Sequence, residues 1–196
     1  MHRICVFAGS NLGNRQEYQQ AARALGQELV ARELGLVYGG ASVGLMGVIA
    51  DAVLAAGGEV IGVLPRALFR REVAHPHLTE LHEVSSMHER KALMADLADG
   101  FIALPGGLGT FDELFEITTW AQLGLHTKPI GLLNVADYFA PLLALVAHAT
   151  AEGFIPPIHT RLLLHADNAA ALLDSFATYG PPVKPSNEWV DLPPEP

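Results

Sequence analysis

Residues 100–123 read GFIALPGGLGTFDELFEITTWAQL, and the fold turns on how this stretch is parsed. Gly100 to Leu104 is a short apolar run of strand type. Pro105-Gly106-Gly107-Leu108-Gly109 breaks it, and from Phe111 to Leu123 the apolar residues recur at helical spacing. Strand, glycine turn and helix in that order form half of a βαβ unit, whose strands pair in parallel.

The same order repeats outward in both directions. The remaining strands are expected at Arg3 to Ala8, Leu36 to Tyr38, Glu59 to Leu64, Leu81 to Val84, Pro129 to Leu133 and Arg161 to His165. Helices are expected at Gln16 to Glu33, Val43 to Ala56, Met87 to Ala98, Ala136 to Glu152 and Asn168 to Phe176. The pattern predicts an α/β fold: one Rossmann-like, doubly wound domain over residues 1–179, with a mainly parallel sheet of about seven strands. Residues 180–196 carry Pro181, Pro182, Pro185, Pro193, Pro194 and Pro196 and read as a loose tail, because proline donates no backbone hydrogen bond.

Composition narrows the function. With 50% hydrophobic and 17% charged residues the chain can bury a core, which excludes a disordered class. Its apolar runs are cut by Gly, Pro or charge short of the roughly 18 residues a membrane span needs, and no basic leader precedes one. A cytoplasmic protein with no membrane partner is expected. The net charge of -9, from 12 Lys and Arg against 21 Asp and Glu, would repel a phosphate backbone, so nucleic acid is not expected as a partner. The single cysteine, Cys5, lies in an apolar run and reads as a reduced, buried thiol.

Three glycine-rich turns follow strands: Gly9-Ser10-Asn11-Leu12-Gly13, Gly39 to Gly47, and Pro105 to Thr110. A lone turn of this kind need only reverse the chain. Three at the carboxyl ends of parallel strands suggest an anion cradle, where backbone amides and a helix N-terminus meet a phosphate. The dinucleotide fingerprint is absent, since no acidic residue closes the second strand, where Tyr38 and Gly39 stand. No Gly-Lys-Ser/Thr follows any turn, which removes the P-loop route to ATP hydrolysis.

Glu113 has two readings. Thr110-Phe111-Asp112-Glu113 fits a capping box, in which hydroxyl and carboxylate each satisfy an amide at the helix start. The same position aims a carboxylate into the cleft, where it could stabilise positive charge on a sugar or orient a water. Arg90 and Lys91, near the start of a helix, oppose its dipole unless an anion or carboxylate offsets them. They read either as ligand-binding cations or as a solvated pair neutralised by Glu89 and Asp96. His75-Pro76-His77 with His82 needs no metal to explain it, since no HExxH motif or cysteine partner accompanies it.

Taken together, Pro105-Gly106-Gly107-Leu108-Gly109-Thr110-Phe111-Asp112-Glu113 resembles the PGGxGTxxE signature of the LOG (LONELY GUY) family, phosphoribohydrolases of cytokinin riboside 5'-monophosphates once mislabelled lysine decarboxylases. Met87-His88-Glu89-Arg90-Lys91, the Gly39 to Gly47 turn and Gly9-Ser10 are similar to that family in the same order, and the resemblance spans about residues 3–176. It implies hydrolysis of the N-glycosidic bond of an N6-modified AMP, or of AMP, to free base and ribose 5-phosphate, with no metal and no organic cofactor. By the same resemblance Arg90 and Glu113 form the catalytic pair. Glu72, Met87, Lys91, Gly106, Gly107, Leu108, Gly109, Thr110, Phe111, Asp112, Thr118, Gly9 and Ser10 would bind the nucleoside monophosphate. A homodimer with the site near its interface is implied as well. Ala8, where members often have Cys, and Ala41, where another Gly is frequent, depart from the pattern and bear on substrate preference rather than chemistry. A non-catalytic nucleotide carrier or sensor on the same fold is the alternative, since it would keep the glycine loops without needing Arg90 or Glu113 to act.

Overall fold

Alternation within the first strand explains why the sheet must be covered on both faces. In β1 (Arg3–Phe7), Ile4 and Val6 join one apolar cluster while Cys5 and Phe7 join another on the opposite face. The computed structural model describes residues 1–66 and 74–182. Six further strands follow: β2 (Gly35–Tyr38), β3 (Val60–Pro65), β4 (Glu80–Val84), β5 (Gly100–Ala103), β6 (Ile130–Leu133) and β7 (Leu163–Ala166). They form one sheet of seven strands in the order β4-β3-β2-β1-β5-β6-β7, every neighbouring pair parallel.

The helices α1 (Gln16–Ala31), α2 (Gly44–Ala55) and α6 (Ala169–Ala177) cover one face through Leu25, Leu29, Leu45, Ile49, Leu172 and Phe176. On the other lie α3 (Met87–Leu97), α4 (Leu108–Gln122) and α5 (Ala140–Ala151), which contribute Met94, Leu114 and Ile117 and the half-buried Leu142 and Val146. Because the strand order reverses between β1 and β5, the loops leaving their carboxyl ends diverge to opposite faces. A crevice opens there, and it is where doubly wound folds bind ligands.

The doubly wound, parallel architecture agrees with the sequence reading, and three element boundaries do not. The helix expected over 136–152 is interrupted. Ala136 and Asp137 adopt φ of 50° and 59° in a short 3₁₀ turn, and Asn134 Oδ1 accepts the Phe139 N–H at 2.7 Å before α5 begins. Apolar periodicity cannot register such a turn. The last strand starts at Leu163 because residues 157–162 form a 3₁₀ segment. Most consequentially, α4 begins at Leu108 rather than Phe111, with Gly107 as its N-cap. Thr110 therefore lies inside the first turn, and the expected Thr110–Glu113 capping box does not form. A box-like cap occurs instead at α3, where Ser86 Oγ accepts the Glu89 N–H at 3.1 Å and Glu89 reaches back to the Ser85 N–H at 2.7 Å. Glu72 and residues 183–196 lie outside the described residues.

Candidate active site

The three glycine turns converge on the crevice. The Gly9 N–H donates to the Pro105 carbonyl at 3.1 Å, and the Leu45 N–H, at the start of α2, donates to the Gly9 carbonyl at 2.9 Å. The turns after β1 and β5 touch so closely that a Cβ on Gly106 would sit 2.1 Å from Thr110 Oγ1 and 2.9 Å from the Gly9 nitrogen. Only glycine fits there. A Cβ on Gly107 or Gly109 would meet no protein atom within 4 Å, so these two line open space at the helix start. The first bond of α4 runs from Phe111 N–H to the Gly107 carbonyl, which leaves the Leu108, Gly109 and Thr110 amides without intrahelical acceptors. With the helix dipole they make an anion site. Next to it a cavity of about 250 Å³ is lined by Gly9, Ser10, Gly13, Tyr18, Gly106 and Tyr138.

Arg90 is not a solvated cation. It is 5% exposed, its Nε donates to the Val63 carbonyl and its Nη2 to the Gly39 carbonyl, both at 3.1 Å. Nη1 faces Glu113 Oε1 at 4.0 Å and Met87 Sδ at 3.9 Å. Two neutral carbonyls fix the guanidinium while its charge is left to act on Glu113, whose side chain is 12% exposed in the second turn of α4. The guanidinium is the cation that faces this carboxylate. Glu113 is thus a half-buried carboxylate facing a buried cation beside the open helix start, not a surface cap.

Lys91 does not sit in solvent either. Its side chain is 12% exposed and Nζ bridges Asp112 at 3.2 Å and Glu116 at 3.0 Å, tying α3 to α4 on either side of Glu113. Burial pulls its pKa down, but the hydrogen bonds to Glu116 and Asp112 outweigh that and leave it above the ordinary value. Thr110 is buried, Ser10 and Asp112 are exposed, and Met87 is 40% exposed at the mouth of the site. Thr118 lies two helical turns beyond Thr110, about 12 Å along α4, and its hydroxyl donates to the Leu114 carbonyl. The structure does not bring it to the glycine loop within one chain.

Sequence reasoning missed Tyr138, whose hydroxyl donates to the Gly106 carbonyl and whose ring meets Tyr18 edge-on at 5.8 Å. This pair braces the loop after β5, where apolar periodicity predicts helix and gives no sign of a turn. The Gly39 and Val63 carbonyls and Glu116 were missed too, since backbone acceptors leave no mark in a sequence. A larger concavity, about 780 Å³, lies at the opposite, amino-terminal edge of the sheet. Its Arg3 is paired with Glu59 at 2.7 Å, and none of the site residues reach it. Among the described residues no cluster could hold a metal ion, and no helix is long and apolar enough to cross a membrane.

A parallel sheet with three glycine turns at its switch point, no dinucleotide fingerprint, and a buried arginine facing a half-buried glutamate beside them defines a Rossmann-like α/β protein with a candidate anion site. The chain belongs to the LOG family: residues 46–176 match the family model described as "Possible lysine decarboxylase". It is 54% identical to the probable cytokinin riboside 5'-monophosphate phosphoribohydrolase LOGL9 of Oryza sativa subsp. japonica, over 91% of this chain and 79% of that one. It is 51% identical to the cytokinin riboside 5'-monophosphate phosphoribohydrolase LOG7 of Arabidopsis thaliana, over 91% and 82%. Among solved structures, the molybdenum cofactor binding protein of Rippkaea orientalis superposes with a TM-score of 0.67 at 21% identity, covering 90% of this chain and 96% of that one. That likeness is one of fold.

Proposed function

We propose that this protein hydrolyses the N-glycosidic bond of N6-modified adenosine 5'-monophosphates, or of AMP, releasing free base and ribose 5-phosphate. The observation that carries the reading is the buried Arg90 facing Glu113 at 4.0 Å beside the open amides of α4. Relatives at 51–54% identity that bear the phosphoribohydrolase name supply the substrate class. The 5'-phosphate binds the Gly107 to Thr110 start of α4, so a remote group positions the bond to be broken. As the bond from the anomeric carbon to the base nitrogen breaks, Glu113 stabilises the positive ribose and directs water to that carbon. The water oxygen ends on the sugar and the base leaves with a proton. Arg90 holds Glu113 ionised and oriented. Gly9, Ser10, Met87 and Asp112 line the approach, and Glu72 belongs to the same proposed site. No organic cofactor or metal enters the scheme.

A decarboxylase reading, which the family model's description retains, needs a neutral lysine to form a Schiff base. Lys91 is held protonated by two carboxylates, and Lys128 donates to the Ala95 carbonyl at 2.8 Å. Neither of these two, the lysines among the described residues, suits that role. The proposal also includes a homodimer and a cytoplasmic setting. The first is supported by α5, which has no fully buried residue in a single chain although it reads APLLALVAHATA, and by the nearby exposed Phe154 and Ile158. The second is supported by Cys5, a free and buried thiol.

The test is release of base from AMP and from N6-isopentenyl-AMP, with each nucleoside as control. Hydrolysis of the monophosphates alone is the expected result. Binding without base release would leave a carrier or sensor instead.

A further inference from the structure

The turn that holds Arg90 is itself held from behind. Gly39 accepts from Arg90, and the next carbonyl, that of Gly40, accepts the His75 N–H at 3.0 Å, beside an isolated antiparallel bridge between Ala41 and Ala74. The His75 side chain is 4% exposed, and both ring nitrogens are engaged. Nδ1 accepts the His77 N–H at 3.3 Å, so Nε2 carries the proton and donates to Asp51 Oδ1 on α2 at 3.0 Å. A buried imidazole has thus been placed where the glycosidic chemistry does not use it.

We propose that His75, anchored by Asp51, is a positioning residue: it clamps residues 74–77 to α2 and thereby fixes the Gly39–Gly40 turn that sets the Arg90 guanidinium against Glu113. The contacts are continuous, from Asp51 to the His75 ring, from the His75 backbone to Gly40, and from Gly39 to Arg90. Without the imidazole, that segment keeps its backbone bond to Gly40 but loses its attachment to α2, and the turn gains freedom. A displacement of about 1 Å at a reacting pair costs on the order of a hundredfold in rate, so a loosened turn is felt in turnover. The role of Arg90 in that turnover rests on the proposed function, whereas the clamp on its guanidinium does not.

The experiment compares His75→Ala and Asp51→Ala with His75→Gln, which keeps a donor toward Asp51, and Asp51→Asn, which keeps an acceptor. Two readouts are taken: kcat and KM for the nucleotide monophosphate, and hydrogen exchange of the Arg90 Nε–H by nitrogen-15 NMR, its signal assigned by loss in Arg90→Lys. For His75→Ala, kcat falls about tenfold or more with KM within about threefold, and Nε–H exchange accelerates by about tenfold or more. Asp51→Ala moves both in the same direction, and the two conservative variants restore most of each. A His75→Ala protein with lowered thermal stability but wild-type kcat and wild-type Nε–H exchange would overturn the clamp, because a merely structural histidine behaves that way. If His75→Ala does not fold, Asp51→Ala decides, since Asp51 is 75% exposed on its helix. If the wild-type protein releases no base, the proposed function fails, and the exchange measurement still decides the clamp.

Discussion

Replacing Gly39 by alanine tests the site with a single methyl group. A Cβ at Gly39 would lie 2.0 Å from Arg90 Nη2 and 3.2 Å from Met46 Sδ, against ordinary contact beginning near 3.4 Å. The guanidinium must therefore retreat by roughly 1.4 Å, away from the Gly39 carbonyl to which Nη2 donates. Losing one hydrogen bond to a buried charged group costs about 1.5–3 kcal/mol. Moving Arg90 relative to Glu113 by that distance lowers turnover by on the order of a hundredfold. Steady-state base release, with thermal unfolding on the same samples, separates the two effects. Arg90 in its proposed role requires kcat to collapse while the protein stays folded. Turnover within about threefold of wild type in a folded Gly39→Ala protein would refute the reasoning, because a guanidinium displaced this far cannot still serve Glu113.

Glu113→Gln keeps the shape and removes the charge; turnover should drop about a hundredfold or more with little change in unfolding temperature, and a loss of stability with turnover intact would return Glu113 to a structural role. Tyr138→Phe removes the donor to the Gly106 carbonyl, and with a net bond value near 1 kcal/mol the KM for the monophosphate in steady-state base release should rise about fivefold. Leu25→Ala, at a fully buried position of α1, should cost about 2–5 kcal/mol in urea unfolding without touching KM. His126 is pushed below its ordinary value of 6.5, first by burial and further by Lys128, against its hydrogen bond to the Ile117 carbonyl. The unfolded chain therefore binds its proton first, so stability present above about pH 6.5 is lost as pH falls, and thermal unfolding should show a steeper acid decline in wild type than in His126→Gln.

The parts of the fold that were legible in the sequence are those written in local pattern. Most strands announced themselves as short apolar runs, and the turns after β1, β2 and β5 as glycine clusters, although β4 reads ELHEV with only Val84 buried. The doubly wound class followed from that alternation alone. The start of α4 was misplaced by three residues because Thr110 and Glu113 carry the signature of a cap, while the actual N-cap is Gly107, with no side chain to signal it. Arg90 was ambiguous for a related reason. Its partners are the carbonyls of Gly39 and Val63, 51 and 27 residues away, and any residue type has a carbonyl. Lys91 and Glu116 were visible as charges but not as a pair, since nothing local places α3 against α4.

Cys5 sits at the middle of the central strand, level with Val37 on one side and Phe101 on the other, and it is fully buried. Burial raises its thiol well above the ordinary range, and the charge on Glu113 adds to this. Thiol reagents attack the thiolate, so neither local fraying nor breathing of the surface loops presents Cys5 to them. It reacts only when the heart of the sheet comes apart. The chain thus carries its own clock for global opening: one labelling rate, with no second cysteine to confuse it, reads how often the whole molecule comes undone.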